Sequence, residues 1–564
     1  MCSMRRNWWI GLLAGALIAM ALPRDAAANV YAARLAITNP DTSAFDGDFT
    51  DGSDALVGFY LNDTASAVTI RIIDVNGGAT VAELDGGSRA RGFHAVPWDG
   101  TGTQPGGQYR IQVTAEQPSP STTDWTMIYD SGDIDIFTRG VAVNVNPDDP
   151  NFGLTFASND GGPLGTGINI FNPDGSSHDP FLVAADVSLG GTVDYGTEAP
   201  IFAVMDSLGR LYVSNRDRGE ILRINRDYSA TVMLDSLTFP KGIYVAGSGT
   251  DFVMYFAADN KIWRAPIGDG DSYNTSALEL IGEFTGFFPH QVMLDDDGAL
   301  YSTLRTGNGL GDDGAGIRKF DISGTLPVTD NDVLWTLDES RTWIANDLLL
   351  DRGADLSSSS DDILYYCTRA GSNNNGDGVW RVNDINSFFP DTVRVITEDA
   401  FYGPGADDNI NARATMDFDP AGNIILMENS NEHVFFFSPP GDGPTNSYTH
   451  TAPDTFTVTN VVGIGDDNGV VADGYRLEGN YPNPFNPTTT IAYALGASGS
   501  TTITIYDVLG REVRTLVDAV QPAGQHEVRW DGRNDRGEAV PSGVYIYRLN
   551  SGSFTASQRM NLVR

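Results

Sequence analysis

The chain has little cysteine, little positive charge and no long apolar run beyond its first residues. Two cysteines occur in 564 residues, Cys2 and Cys367. Cys2 falls in an N-terminal leader, so the mature chain keeps one thiol, which excludes an intrachain disulfide and a thiolate metal cluster. Stability then has to come from buried cores. Lysine and arginine number 35 against 74 aspartates and glutamates, a net charge of −39. A surface of that sign repels nucleic acid and anionic lipid, and no nucleic-acid partner is expected. The histidines are His94, His178, His290, His433, His450 and His526, and no two stand at metal-ligand spacing. H-E-x-x-H, G-x-S-x-G and P-loop motifs are all missing.

What is present starts with an address. Arg5 and Arg6 precede an apolar run from Trp8 to Leu22, and Ala26-Ala27-Ala28 supplies small residues for cleavage. Residues 1–28 read as a signal peptide, too short and too close to the terminus for a membrane span. Cys2 lies before the apolar run, which argues against a lipoprotein. The expected route is export to the periplasm and on to the cell surface or medium, with no membrane span after cleavage. The 63 glycines and 28 prolines call for many turns, and Asp and Asn crowd beside those glycines. The fold class expected is all-β.

The two ends of the chain echo each other. Val68-Thr69-Ile70-Arg71-Ile72-Ile73-Asp74-Val75-Asn76-Gly77 matches Thr501 to Gly510 in alternation and in its Asp-Val-x-Gly ending. Trp98-Asp99-Gly100 then matches Trp530-Asp531-Gly532, and both copies finish on a Gly-x-Tyr strand, at Tyr109 and Tyr545. Period-2 strands joined by Asp-Gly turns predict one β-sandwich plan used twice. The expected modules span 29–140 and 479–564, with a linker at 451–478. The second alone opens with a stiff lead-in, Tyr481-Pro482-Asn483-Pro484-Phe485-Asn486-Pro487, in which three prolines fix φ and remove ladder donors. This lead-in and the Tyr506-Asp507-Val508-Leu509-Gly510-Arg511-Glu512-Val513 strand resemble the C-terminal sorting domain of type IX secretion cargo, in the variant related to the Ig-like module of the flagellar hook-capping protein. The resemblance implies that Tyr481 to Pro487 mark a sorting signal and that the type IX machinery is a partner.

Residues 141–450 repeat a looser unit: a short apolar strand, a turn, an aromatic strand and an amphipathic strand. The clearest copy is Ile201-Phe202-Ala203-Val204-Met205-Asp206-Ser207-Leu208-Gly209-Arg210-Leu211-Tyr212, followed by Ile221-Leu222-Arg223-Ile224. Others surround Ile243, Val292, Leu349 and Ile425, and a fainter one surrounds Phe156. A repeat of this length predicts the blades of a β-propeller, six in number, flanked by the two Ig-like sandwiches. The run resembles NHL and gluconolactonase-like propellers. That family holds a divalent metal on its axis, and the resemblance carries this role to Glu198 and Asn346 only. Lys241 stands where one Asn ligand is expected, His290 precedes another strand, and Ala414-Thr415 replaces the last acidic ligand.

Aspartate-glycine clusters at Asp295-Asp296-Asp297-Gly298 and Gly311-Asp312-Asp313-Gly314, and those at Asp407-Asp408-Asn409 and Asp466-Asp467-Asn468, could offer hard oxygens to Ca²⁺ or another divalent metal, but without EF-hand spacing they read as solvated turns. No cofactor is required. Cys367 sits in an apolar strand and reads as an inert core thiol. The function expected is a non-enzymatic binding or structural protein, exported by its last module and presenting the propeller to an extracellular protein or glycan. Two alternatives stay open: a metal-dependent gluconolactonase-like hydrolase, and a structural part of an extracellular appendage or matrix.

Overall fold

A computed structural model describes residues 30–460 and 476–562, apart from short breaks and the longer stretches 184–199, 269–276, 307–313, 338–346, 369–377 and 398–414. The leader 1–28 lies outside the described residues. All named elements are strands, and no described helix is long and apolar enough to cross a membrane. The chain forms two compact units, 1–462 and 463–564.

The first unit begins with a sandwich. One sheet is built from β1 (Ala32–Thr38), β2 (Ala55–Leu61) and β5 (Gly92–Trp98). The other contains β3 (Ala67–Asp74), β4 (Thr80–Asp85) and β6 (Gln108–Pro118). Alternation decides which side faces in: Val68, Ile70 and Ile72 of β3 are buried, whereas Thr69, Arg71 and Ile73 point outward. Trp98 is 2% exposed at the centre of this core.

The chain then runs through a short strand, β7 (Thr126–Asp130), into a series of four-stranded antiparallel sheets. The first holds β8 (Thr138–Val143), β9 (Thr155–Asp160), β10 (Thr166–Phe171) and β11 (Leu182–Val183). The second holds β12 (Ala203–Met205), β13 (Leu211–Asn215), β14 (Glu220–Ile224) and β15 (Ala230–Leu234). The third holds β16 (Pro240–Ala246), β17 (Val253–Ala258), β18 (Lys261–Pro266) and β19 (Glu279–Glu283). The fourth holds β20 (Phe288–Leu294), β21 (Leu300–Arg305), β22 (Gly314–Phe320) and β23 (Val333–Leu337). The fifth holds β24 (Leu348–Asp351), β25 (Ile363–Thr368), β26 (Gly378–Asn383) and β27 (Asp391–Thr397). The sixth combines β28 (Thr415–Phe418), β29 (Ile424–Glu428) and β30 (His433–Ser438) with β7, which reaches it from the other end of the series.

Each sheet packs on the next through its own apolar layer, and the sixth packs on the first. Ile168 and Leu222 share one layer, and Ile221, Met254 and Phe256 the next. Ile262 meets Val292, Tyr301 meets Leu364, and Cys367 meets Leu426. Val141 and Phe171 then meet Ile425 and Phe436, which returns the packing to its start. Burial on both faces explains why strands such as β13, β21 and β25 are buried at every residue. This is propeller architecture, with six four-stranded sheets among the described residues.

After β30 the chain goes back to the sandwich. β31 (Thr445–Thr451) and β32 (Phe456–Thr457) both pair with β6, with Thr445 opposite Pro118 and Phe456 opposite Tyr109. Strand pairing therefore does not follow the linear division 29–140, 141–450, 451–478: residues 126–130 complete a propeller sheet and residues 445–457 complete the first sandwich. The propeller is an insertion between two neighbouring strands of an Ig-like module.

The second unit is a sandwich of β33 (Arg476–Tyr481), β34 (Thr489–Leu495) and β37 (Gly524–Trp530) against β35 (Gly499–Asp507), β36 (Glu512–Gln521), β38 (Gly543–Ser551) and β39 (Phe554–Leu562). Its register repeats that of the first: Asp74 faces Tyr109, and Asp507 faces Tyr545. Trp530 is 0% exposed.

Candidate functional site

In the propeller, side chains from the innermost strands of neighbouring sheets meet at one end. Phe202, Gln291, Asp347 and Thr415 each stand four residues before the turn aspartates Asp206, Asp295, Asp351 and Asp419; in β16 Gly242 takes the place of Gln291, and Lys241 that of His290. The Asp347 carboxylate gathers its neighbours. One oxygen accepts from Gln291 Nε2 at 2.8 Å and from the Leu348 N–H at 2.9 Å. The other accepts from Thr415 Oγ1 at 2.7 Å and from the Met416 N–H at 3.0 Å. Thr415 Oγ1 in turn accepts from the Val141 N–H at 3.1 Å. His290 packs edge-on against Phe202, with ring centroids 4.9 Å apart. A Cβ on Gly242 would lie 2.3 Å from Gln291 Oε1 and one on Gly140 would lie 2.6 Å from the Ala203 nitrogen, so glycine is required where these strands close up.

The electrostatics of this end are divided. Lys241 is 0% exposed and holds its ammonium 5.7 Å from the Phe288 ring centroid. His290 and Arg305 are also buried, and Arg305 pairs with Phe288 across β20 and β21. On the other side lie Asp347 and Asp417. Burial raises the pKa of Asp347, and its donors draw it back. Burial lifts Asp417 to about 7, against the N–H groups of Val143 and Phe418, which both donate to it.

Two metal candidates from the sequence, Glu198 and Asn346, lie outside the described residues. The described side chains around their expected positions do not fit a divalent cation. Lys241 brings a buried positive charge, and both Asp347 oxygens already have two donors each. No described group of three or more His, Cys, Asp or Glu side chains could hold a metal ion.

The aspartate-glycine motif has a local explanation. Asp295 accepts from the Ala299 N–H at 2.8 Å and Tyr301 OH at 2.8 Å, and pairs with Lys319 at 3.0 Å. Asp206 does the same for the Arg210 N–H and Tyr212 OH. Asp419 accepts from Ala421, Asn423 and, across to the sandwich, from Asn62 Nδ2 at 3.1 Å. Asp296 pairs with Arg352. Gly209, Gly298 and Gly422 carry positive φ in these turns. The Asp295 cluster is thus bound into a turn by its own side chains; residues 311–313, 407–409 and 466–468 lie outside the described residues. Cys367 is buried within β25 and packs between the fifth and sixth sheets.

In the second unit, Phe485 anchors the lead-in. It is 2% exposed, its N–H donates to the Asn561 carbonyl at 2.9 Å, and its ring lies 5.5 Å from Trp530. Tyr481 ends β33 and pairs with Thr490, and Pro487 is exposed. Pro482, Asn483, Pro484 and Asn486 lie outside the described residues. The first sandwich holds a counterpart the sequence did not disclose. Phe49 donates its N–H to the Asn460 carbonyl at 3.1 Å and sets its ring 5.2 Å from Trp98.

Sequence reasoning missed Phe202, Gln291, Thr415 and Asp417. The signal that finds them is their shared position four, or for Asp417 two, residues ahead of the turn aspartate.

Comparison with known proteins agrees with the doubled module. The FlgD Ig-like domain family matches residues 43–119 and 486–553. No curated protein matches in sequence. Among solved structures the chain is similar to PorZ, a bacterial surface component of the type IX secretion system of Porphyromonas gingivalis, at 13% identity over 91% of this chain and 69% of that one, with a TM-score of 0.33. It is similar to a gluconolactonase of Xanthomonas campestris at 14% identity over 60% of this chain and 99% of that one, TM-score 0.35. A virginiamycin B lyase of Staphylococcus aureus matches at 12% identity over 56% of this chain and 99% of that one, TM-score 0.31. Two segments of this chain, one near each end, are thus similar to the FlgD Ig-like domain, and an all-β propeller lies between them.

Proposed function

We propose that this protein is cargo of the type IX secretion system, directed to the cell surface or medium by its second unit, and that the propeller is the part it displays for binding. One observation carries the reading: the Tyr481–Pro487 lead-in runs directly into the 486–553 segment that matches the FlgD Ig-like domain, and Phe485 fixes that lead-in to the module's core. The N-terminal leader supports entry to the periplasm. The non-enzymatic reading is favoured over a metal-dependent hydrolase because the described end of the axis combines Lys241 with a hydrogen-bond-saturated Asp347. Deletion of 463–564 tests the export claim. In a type IX-competent host the shortened protein is expected to accumulate in the periplasm, and its unchanged appearance outside the cell refutes the reading.

A further inference from the structure

The first sandwich carries an outward face that its twin lacks. β2 and β5 pair with Ala55 opposite Trp98, and β34 and β37 pair with Thr489 opposite Trp530, so the two registers match position by position. Inward residues alternate with outward ones. In the second sandwich the outward register sites hold Thr490 opposite Arg529, Ala492 opposite Glu527 and Ala494 opposite Gln525. In the first they hold Leu56 opposite Pro97, Gly58 opposite Ala95 and Tyr60 opposite Phe93. All six are uncharged, in a chain of net charge −39. The twin shows that the plan of the module does not call for an aromatic pair at this place.

The propeller covers only one margin of the face. Ala33 of β1, opposite Tyr60, is buried with Phe152 of the propeller. Arg91 Nε donates to the Asp174 carbonyl at 2.8 Å and Arg34 Nη1 donates to His178 Nε2 at 3.2 Å, which ties the propeller turn 172–178 to the sheet. Beyond this interface the face continues uncovered. Phe93 is 58% exposed, and its ring centroid lies 5.1 Å from that of Tyr60. The Phe93 ring reaches to 3.2 Å from the place a Cβ on Gly58 would take, so the glycine gives it room to lie over the strand. Asp174 Oδ1 accepts from the Ser176 N–H and hydroxyl, whereas Oδ2 lies 3.7 Å from the place of a Cβ on Gly92, the residue before Phe93. Burial and the Asp174 charge raise the pKa of the Tyr60 hydroxyl, which sets carboxylate and phenol in one electrostatic neighbourhood. With about 3.4 Å per residue and about 4.8 Å between strands, the open face covers on the order of 150 Å². A stable protein interface takes roughly 800 Å² from each partner. The open face is too small for that and large enough for one or two sugar rings.

We propose that the outward face of β2 and β5 binds a neutral hexopyranose unit of an extracellular glycan, with Phe93 and Tyr60 as the stacking surface and Asp174 Oδ2 as the acceptor for its hydroxyls. The face of an aromatic ring is negative and attracts the polarised C–H bonds along one side of a pyranose. A carboxylate takes hydroxyl donors in charge-assisted hydrogen bonds, and in a chain of this net charge it turns away acidic sugars. The site goes beyond the reading of the propeller as the displayed part: it lies on the base of the ring, and the propeller contributes only the turn that brings Asp174.

The test uses the purified full chain. Its migration is followed in native gels that contain dextran, mannan or galactan, with polygalacturonate as the acidic counterpart, and calorimetry gives the Kd for an oligosaccharide of the retarding polymer. Retardation by at least one neutral polymer and none by polygalacturonate is expected. Phe93→Ala is expected to weaken binding about tenfold, the loss of one aromatic stacking contact. Phe388→Ala, at a phenylalanine 71% exposed in the propeller, leaves binding unaltered. Should Phe93→Ala fail to fold, Phe93→Gln, which installs the side chain the twin carries at this register, and Asp174→Asn decide, each with weaker binding expected. No retardation by any neutral polymer, retardation unchanged by the Phe93 and Asp174 substitutions, or stronger retardation by polygalacturonate overturns the proposal. A wild-type dimer in sedimentation that Phe93→Ala converts to a monomer also overturns it, because a second copy then occupies the face. Secretion of the wild-type chain does not depend on any of these results, so the export reading stands or fails separately.

Discussion

The two sandwiches are one plan finished in two ways. In the second, β38 turns directly into β39, with Ser551 opposite Phe554, and the edge of the sheet is filled by the next residues along. In the first, β6 waits for β31, which arrives only after the whole propeller has intervened. The aromatic centres match closely: Trp98 with Phe49 and Phe456, and Trp530 with Phe485 and Tyr545. Their surroundings differ. Residues 463–564 hold nine arginines against eleven acidic residues, so −37 of the −39 charge belongs to the first unit. One copy has become the base on which a ring is mounted; the other is a nearly neutral module complete in itself. The comparison teaches that an Ig-like edge strand can be supplied from a distant part of the chain without altering register, because ladder hydrogen bonds read geometry and not sequence separation.

The sharpest way to break this comparison is to remove the returning strands. Ending the chain after Gly441 takes away β31 and β32 and uncovers Val113 and Tyr109. The first unit is expected to lose its cooperative thermal transition, whereas ending it after Val462 preserves that transition; calorimetry of the two truncations decides. Next in size, Trp98→Ala and Trp530→Ala should each cost about 3–5 kcal/mol. The first should lower only the transition of unit one, the second only that of unit two. Asp347→Ala leaves four donors without their acceptor and should cost about 3 kcal/mol, seen in unit one by denaturant titration. Phe49→Leu and Phe485→Leu should each cost about 1 kcal/mol, and similar values sharpen the claim that these phenylalanines are equivalent.

The smallest effect is a pH dependence confined to the first unit. A carboxyl whose pKa rises on folding stabilises the fold in its protonated form, a contribution complete below about pH 4 and lost as pH climbs past about 7. Asp417 has this character, lifted by burial to about 7. Asp419 and Asp362 are lifted by burial to about 7 as well, so the midpoint of unit one should rise between pH 8 and 5, and Asp417→Asn should reduce that rise without abolishing it.

Much of this was legible in the residues. Period-2 alternation in Val68–Asp74 and Ile503–Asp507 gave the inward faces, and the Asp-x-x-Gly turns marked the propeller repeat. The insertion was not legible. Thr126–Asp130 and Thr445–Thr451 are short amphipathic strands whose partners lie hundreds of residues away, and no local pattern names a distant partner. Phe49 escaped notice because it lacks the prolines that draw attention to Phe485. At the axis, Asn346 was singled out while its neighbour Asp347 makes the described contacts. A ligand motif weights residue type, whereas the fold rewards the side chain that can accept from three strands at once.

The division of labour between the twin modules is tested most directly by fusing each to the same periplasmic reporter in a type IX-competent host and measuring the reporter in the medium. Residues 463–564 are predicted to carry the reporter out of the cell, while 30–118 joined by a short linker to 445–460 leave it in the periplasm. Release by both modules, or by neither, contradicts the account.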